Sequence, residues 1–147
     1  MTSSLRITRH PYEEPYHVNL VVHASNGRQS SELEIYAGAA DLSGAAQALT
    51  GFPKHSGDVF TWELGSELPE DRFAFYFRLR VWQVKANGRC AVEVRFNNNQ
   101  DPPDRQVAEF SFGAYPSDLD NLGLLFREFS KLEQMVMEWA VEDDGVR

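Results

Sequence analysis

Residues 73–96 read FAFYFRLRVWQVKANGRCAVEVRF. Two runs of alternating apolar and polar side chains are joined by Asn87-Gly88, a dipeptide that favours a two-residue hairpin turn. If these two residues form the turn, Val81 lies opposite Val94 and one side of the hairpin is wholly apolar. A shift of one residue would turn that side towards solvent, so the register is constrained. The stretch therefore predicts the central antiparallel hairpin of a sheet.

The other side of this hairpin carries the strongest candidate for a functional surface. With the same turn, Arg80 lies opposite Arg95 and Trp82 lies opposite Glu93. Two opposed arginines repel unless carboxylates neutralise them, and Glu63, Glu93 and Glu109 can lie on this face. Tyr, Trp and Arg are enriched at interface hot spots, so we expect a protein-binding surface, with a purely structural salt-bridged face as the alternative. The predicted surface consists of Tyr76, Arg78, Arg80, Trp82, Glu93 and Arg95.

The rest of the chain reads as strands and two helices. Alternation predicts further strands at 17–24, 32–36, 59–64 and 107–114. Asp41 is a candidate N-cap for a short helix over 42–49, and Ser117 for a longer amphipathic helix that Met135, Val136 and Trp139 extend. No internal repeat is detected. The predicted fold is α+β: a single antiparallel sheet of about five or six strands, with the C-terminal helix packed on one face and a short helix after the second strand.

The predicted domain organisation is simple. Residues 1–16 contain Pro11 and Pro15 and no periodic pattern, so they predict a loosely ordered N-terminal arm. Residues 17–140 predict a single α+β domain. Residues 141–147 predict an acidic, frayed tail.

Composition limits the kinds of partner. The net charge of −8 argues against a nucleic-acid binder, which needs a concentrated basic surface. There is no apolar run long enough to span a bilayer and no signal-peptide core, so we expect a cytoplasmic protein without a membrane partner. The single Cys90 excludes an internal disulfide.

No stretch of the chain carries a catalytic, phosphate-binding or metal-binding motif. His10, Glu13, Glu14 and His17 lack the fixed spacing of a metal site. Cys90 lies on the apolar side of the hairpin, where burial opposes reactivity. The polar loop 97–105 has no basic or hydroxyl cluster, which favours a plain turn. We therefore expect no catalytic residue, no cofactor, no metal and no enzymatic activity.

The order of elements carries a resemblance. GFP at 51–53 precedes FTWEL at 60–64, and the central hairpin is followed by AEFSF at 108–112 and PSDLDNLGLLFREF at 116–129. This layout resembles the small bacterial immunity proteins of polymorphic toxin systems, which are compact acidic α+β domains. The resemblance implies a protein that binds and blocks a cognate toxin, and no functional residue is transferred by it.

The sequence thus favours a non-enzymatic protein-binding domain, plausibly of the immunity type. Two alternatives remain open. One is a small-molecule binder that holds its ligand between sheet and helix, near Phe75, Phe110 and Phe126. The other is a self-associating protein, with an exposed edge strand or the Trp82 side of the hairpin buried in a homodimer.

Overall fold

A computed structural model describes residues 2–11 and 16–142 of the chain. These residues form two antiparallel sheets of four strands each and two α-helices. Sheet A has the strand order β3-β2-β1-β8, and sheet B has the order β4-β5-β6-β7. A single 3₁₀ turn, Pro69–Asp71, follows β4. The elements are β1 (Thr2–His10), β2 (Val18–Ser25), β3 (Ser30–Ala37), α1 (Ala39–Leu49), β4 (Val59–Gly65), β5 (Tyr76–Gln83), β6 (Cys90–Asn97), β7 (Val107–Ala114), α2 (Pro116–Phe129) and β8 (Val136–Glu142).

The prediction of one sheet of five or six strands is wrong. The six predicted strands exist, but they divide between two sheets, and two further strands complete them. The first helix consequently follows the third strand rather than the second. Alternation along a strand shows which side chains share a face, but it does not show which strands pair, so six strands of similar pattern were assigned to one sheet.

Strand β1 lies where the sequence predicted a loosely ordered arm. It is an inner strand of sheet A, paired with β2 on one side and β8 on the other. Its inward face alternates correctly, but only Leu5 and Ile7 on that face are apolar, whereas Ser3 and Arg9 are polar residues that are also buried. Two apolar residues are too few to reveal a strand by alternation.

Strand β8 occupies the segment predicted as an extension of the second helix. Met137, Trp139 and Val141 are buried, and the residues between them are exposed. This period of two belongs to a strand. The predicted frayed tail also begins too early, because Val141 and Glu142 belong to β8; the remaining residues of that tail lie outside the described part of the chain.

The central hairpin is closed by a longer turn than Asn87-Gly88 predicts. The Gly88 N–H donates to the Lys85 carbonyl at 3.1 Å, and Gly88 has a φ of 95°. The Val84 and Lys85 N–H groups both donate to the Arg89 carbonyl, as in a glycine bulge. The pairing therefore moves by two residues, and Val81 faces Val92 rather than Val94. A shift of two keeps every side chain on its predicted face.

The first helix begins three residues earlier than predicted and the second begins two residues earlier, and both have the same capping arrangement. Asp41 and Asp118 are the third residues of their helices, and each carboxylate accepts a hydrogen bond from the backbone N–H of the N-cap residue. These bonds measure 2.8 Å from Gly38 and 2.9 Å from Tyr115. The aspartates therefore satisfy N-cap donors, whereas Asp41 and Ser117 were predicted to be the caps themselves.

The chain is built from two halves with the same order of elements, three strands, a helix and a fourth strand. The three strands of each half form a meander within one sheet. The fourth strand crosses to the other sheet, so β4 pairs with β5 and β8 pairs with β1. The fold is therefore an internal duplication in which the halves exchange their last strands.

The sequence retains this duplication without a gap between 30–65 and 107–142, although no repeat was predicted. Adding 77 to each number in the first segment gives its equivalent in the second, for both strands and helix. Conservative changes at most core positions hide the match. The identical pairs are Glu32 and Glu109, Ala37 and Ala114, Asp41 and Asp118, Leu42 and Leu119, Phe52 and Phe129, Lys54 and Lys131, Val59 and Val136, and Trp62 and Trp139.

The two helices cross at equivalent positions. A Cβ atom on Gly123 of α2 would lie 2.8 Å from Thr50 Oγ1, 3.1 Å from the Thr50 nitrogen and 3.3 Å from the Ala46 carbonyl oxygen. Ala46 is the residue equivalent to Gly123, so the close approach lies near the axis that relates the halves. The helices, both sheets and Phe52 share one buried apolar core.

The crossing gives a test of the fold. Gly123→Ala should destabilise the protein by about 1–3 kcal/mol, because the added methyl group meets backbone atoms of the other helix. Gly44→Ala is the matched control within α1, where the added methyl group meets nothing within 4 Å. Its higher helix propensity should stabilise the protein by about 0.5–1 kcal/mol. Equal effects in urea unfolding would contradict this helix crossing.

Candidate functional site

The structure places all six predicted site residues on one surface, the outer face of sheet B. They lie on β5 and β6, the two inner strands, and their neighbours in sequence point into the core. Three glutamates outside the predicted set contact them from the flanking strands and a loop. We call this surface the arginine face; its members are Tyr76, Arg78, Arg80, Trp82, Glu93 and Arg95, with Glu63, Glu67 and Glu109.

The observed register of β5 and β6 changes which residues lie opposite each other. Arg80 lies opposite Glu93, and Arg78 lies opposite Arg95. Two opposed arginines therefore exist, as predicted, but they are a different pair. The flanking strands place Glu63 opposite Arg78 and Glu109 opposite Arg95. A row of four residues, acid–base–base–acid, thus crosses the sheet.

Carboxylates neutralise the two opposed arginines. Arg78 donates to Glu93 and to Glu109, each at 2.8 Å. Glu93 also lies 3.2 Å from Arg80, so one carboxylate joins two guanidinium groups. The side chains of Arg78 and Glu93 are about four-fifths buried. Such a network holds its members in fixed rotamers more firmly than an isolated surface pair would.

Arg95 is held by a residue that the sequence analysis did not find. Its Nε and Nη2 atoms donate to Glu67 at 3.0 and 2.8 Å, and Asn97 donates to the same carboxylate oxygen at 2.6 Å. Burial tends to raise the pKa of Glu67, but the hydrogen bonds from Arg95 and Asn97 outweigh it, and the pKa is lowered. Glu67 lies in the loop after β4, where no periodic pattern shows which way a side chain points.

The two aromatic residues of the arginine face differ in environment. Tyr76 is buried and donates its hydroxyl to Glu63 at 2.6 Å. Burial, followed by the hydrogen bond and the charge of Glu63, raises the pKa of Tyr76 to about 12. Trp82 is partly exposed, and the Arg80 guanidinium lies 4.9 Å from its ring centroid. Tyr76 is thus buried within the sheet, whereas Arg80 and Trp82 form a cation–π pair that is partly exposed to solvent.

Ion pairs fix the charged side chains of this surface. Every arginine of the arginine face has a carboxylate partner, and the exposed Ser111 of β7 lies opposite Glu93 beside them. Both helices direct most of their apolar residues into the core on the inner side of the sheet, although Leu124 is exposed, and Phe126 of α2 packs edge-on against Trp62. On the outer side, Glu67 contacts Arg95 from the loop after β4.

Cys90 lies on the inner side of the hairpin, as its place in the alternation predicts. It is 0% exposed, and its Sγ atom is 3.4 Å from the Gly88 carbonyl oxygen. Burial raises the pKa of the Cys90 thiol, which opposes formation of a nucleophilic thiolate.

Within residues 2–11 and 16–142, no group of three or more His, Cys, Asp or Glu side chains converges. His10 ends β1, and His17 precedes β2. Glu13 and Glu14, which the sequence analysis considered together with these histidines, lie outside the described residues.

The proposed internal ligand site between sheet and helix has no counterpart at the residues that would line it. Phe75, Phe110 and Phe126 are at most 7% exposed and pack in the core. A groove of about 530 Å³ lies instead at the surface between α1 and β4. Small residues of α1 open it: Ala45 and Ala48 stand where α2 has Leu122 and Leu125.

Comparison of the chain with protein-family models, curated proteins and solved structures found no significant match. Within the described residues, no helix is both long enough and apolar enough to cross a membrane.

Tyr76 predicts a loss of stability at high pH. Its folded pKa of about 12 exceeds the ordinary value of 10, so its contribution is complete below pH 10 and disappears as the pH rises towards 12. Tyr76→Phe should remove ~1–2 kcal/mol of this pH dependence, measured by urea unfolding at pH 9 and 11.5. Tyr36→Phe, on the exposed face of β3, is the control and should behave as wild type.

Cys90 predicts slow alkylation of the native protein. Its burial and raised pKa should make reaction with iodoacetamide at pH 8 at least ~100-fold slower in buffer than in 6 M guanidinium chloride. Mass spectrometry over time measures both rates. Comparable rates would show that the thiol is accessible in the folded state.

Proposed function

We propose that this chain is a non-enzymatic protein-binding domain that engages its partner through the arginine face. The observation that carries the proposal is the partly exposed Arg80–Trp82 pair, which lies beside a network in which carboxylates fix Arg78 and Arg95. Arginine and tryptophan are the residues most enriched at interface hot spots. Prior ordering of side chains reduces the entropy lost on binding.

Charge supports a partner of mixed or basic character. The chain carries a net charge of −8, which speeds association with a basic protein at moderate salt. On the arginine face itself, three arginines are balanced by four glutamates. A protein with complementary charges forms new ion pairs with these arginines and glutamates, so no charge of the network is left unpaired on binding.

The resemblance to immunity proteins gives this binding a specific form. A small acidic domain that covers the active site of a toxin acts by stoichiometric occlusion and needs no chemistry of its own. Under this form of the proposal, the partner is a single protein bound at one-to-one stoichiometry, and binding abolishes its activity.

Self-association through the same face is a second candidate, because the row Glu63–Arg78–Arg95–Glu109 reads the same in both directions. A two-fold symmetric interface needs a surface that is complementary to itself. Sedimentation velocity across ~1–200 μM protein tests this candidate, since a dimer held by this face should dissociate in Arg80→Glu.

The main experiment uses two matched charge reversals. Arg80→Glu changes the arginine face, and Arg6→Glu changes the outer face of sheet A at an inner strand. Tagged wild-type protein captures partners from lysate of the source organism, and calorimetry then measures binding of the purified partner to all three proteins. We expect Arg80→Glu to weaken binding by ~30-fold or more, and Arg6→Glu by less than ~3-fold.

The controls separate a surface effect from unfolding. Circular dichroism melts should show both variants folded at the temperature of the binding measurement. If a one-to-one partner binds wild type and both variants equally, the arginine face is not the interface. If Arg6→Glu alone loses binding, the interface lies on sheet A.

A further inference from the structure

A second concave site lies at the end of sheet B, beyond the arginine face. The loop around the 3₁₀ turn Pro69–Asp71 and the loop that follows β6 enclose a cavity of about 440 Å³. We call it the loop pocket. It includes much of the polar segment 97–105, which the sequence predicted to be a plain turn. This volume lies in the range typical of small-molecule sites.

Side-chain hydrogen bonds between the two loops fix the walls of the loop pocket. The Asn99 amide group donates to the Ser66 carbonyl at 2.8 Å and to the Phe73 carbonyl at 3.0 Å. Asn97, which is 4% exposed, accepts from the Asn99 N–H at 2.8 Å and donates to Glu67. The pocket is therefore formed before any ligand arrives, which reduces the entropic cost of binding.

Two residues of the pocket have a left-handed backbone conformation. Arg72 has a φ of 56°, which residues other than Gly, Asn and Asp seldom adopt, and Asn99 has a φ of 53°. Leu132 is the only other non-glycine residue of the described chain with a positive φ. Backbone strain such as that at Arg72 persists where surrounding structure enforces it, and it concentrates at ligand sites.

The charges of the pocket favour an anion. Arg72 and Arg105 line it, and neither guanidinium makes a hydrogen bond or ion pair with another residue in the described part of the chain. Glu67 lies in the same wall, and one of its carboxylate oxygens accepts hydrogen bonds from Arg95 and Asn97. Asp101 is the other carboxylate of the lining. The lining thus carries two guanidinium groups without an ion pair among the described residues, one carboxylate already paired with Arg95 and one further carboxylate, in a chain whose net charge is −8.

Apolar side chains form another part of the lining. Leu68 is 58% exposed and Phe73 is 48% exposed, and both border the cavity together with Pro69. Large apolar side chains left in contact with water beside free arginines suit a ligand with an apolar body and a charged end.

We propose that the loop pocket binds a small organic anion, in which one carboxylate or phosphate group pairs with Arg72 and Arg105 and an aromatic or aliphatic body contacts Leu68 and Phe73. Guanidinium groups recognise both kinds of anion through paired N–H donors. None of the residues proposed to contact the ligand belongs to the arginine face, although Glu67 borders both sites.

The test uses defined probes and nuclear magnetic resonance of the ¹⁵N-labelled full chain. Phenyl phosphate, benzoate, inorganic phosphate and neutral benzyl alcohol are titrated to ~20 mM. We expect saturable shifts of the Asn99 side-chain amide and of the Phe73 backbone amide with phenyl phosphate or benzoate. Inorganic phosphate should bind more weakly because it lacks the apolar body, and benzyl alcohol should bind more weakly because it lacks charge.

Three variants locate the site. Arg72→Gln and Arg105→Gln should each weaken binding of the better anion by roughly tenfold. Arg127→Gln, an exposed arginine on α2, should leave it unchanged, and the amide spectra verify that all variants are folded. The proposal is overturned if no probe gives saturable shifts at Asn99 and Phe73, if benzyl alcohol binds as tightly as the anions, or if Arg127→Gln weakens binding as much as the pocket variants.

Discussion

The exchange of the last strands between the two halves is the constraint on which the rest of the structure depends. Each helix carries the chain from one sheet to the other, and each is attached to the strand it delivers. The Trp62 indole N–H donates to the Asp41 carbonyl at 3.1 Å, and Trp139 donates to Asp118 at 3.0 Å. These equivalent bonds join the first turn of a helix to the exchanged strand. Neither sheet is complete without a strand from the other half, so the halves must fold together.

Because of the duplication, the arginine face of sheet B can be compared with the outer face of sheet A. Sheet A carries the row Glu138–Arg6–His23–Glu32, which also has a glutamate at each end, but Glu138 is equivalent to Thr61 and not to Glu63 of the row Glu63–Arg78–Arg95–Glu109. The surroundings differ, because Val21 stands on sheet A where Glu93 stands on sheet B. Within the described chain no ion pair fixes Arg6, whereas three carboxylates fix Arg78 and Arg95. The duplication therefore accounts for the shared Glu32 and Glu109 but not for the ion-pair network on sheet B.

The sequence indicated which side of a strand each residue lies on, but it did not indicate which strands pair with each other. Alternation placed Tyr76, Arg78 and Arg80 on one outer face even though the turn of the hairpin was misjudged, because an error of two residues preserves the face. Alternation failed for β1, whose inward residues are half polar, and for β8, whose short apolar pattern also fits a helix. The division into two sheets depends on long-range pairing. The position of Glu67 and the loop pocket could not be predicted, because loops have no periodic pattern of apolar and polar residues.

Glu67 links the two candidate sites electrostatically. Its carboxylate accepts hydrogen bonds from Arg95 of the arginine face and from Asn97 beside the loop pocket. By neutralising Arg95, it completes the balance of charge on the outer face. Its other oxygen makes no hydrogen bond within the described residues, and neither Arg72 nor Arg105 pairs with it across the cavity that it lines. Glu67 thus neutralises Arg95 on the outer face, while both arginines of the pocket remain without an ion pair in the described part of the chain. The same pairing lowers the pKa of Glu67, so this division of charge persists through the physiological pH range.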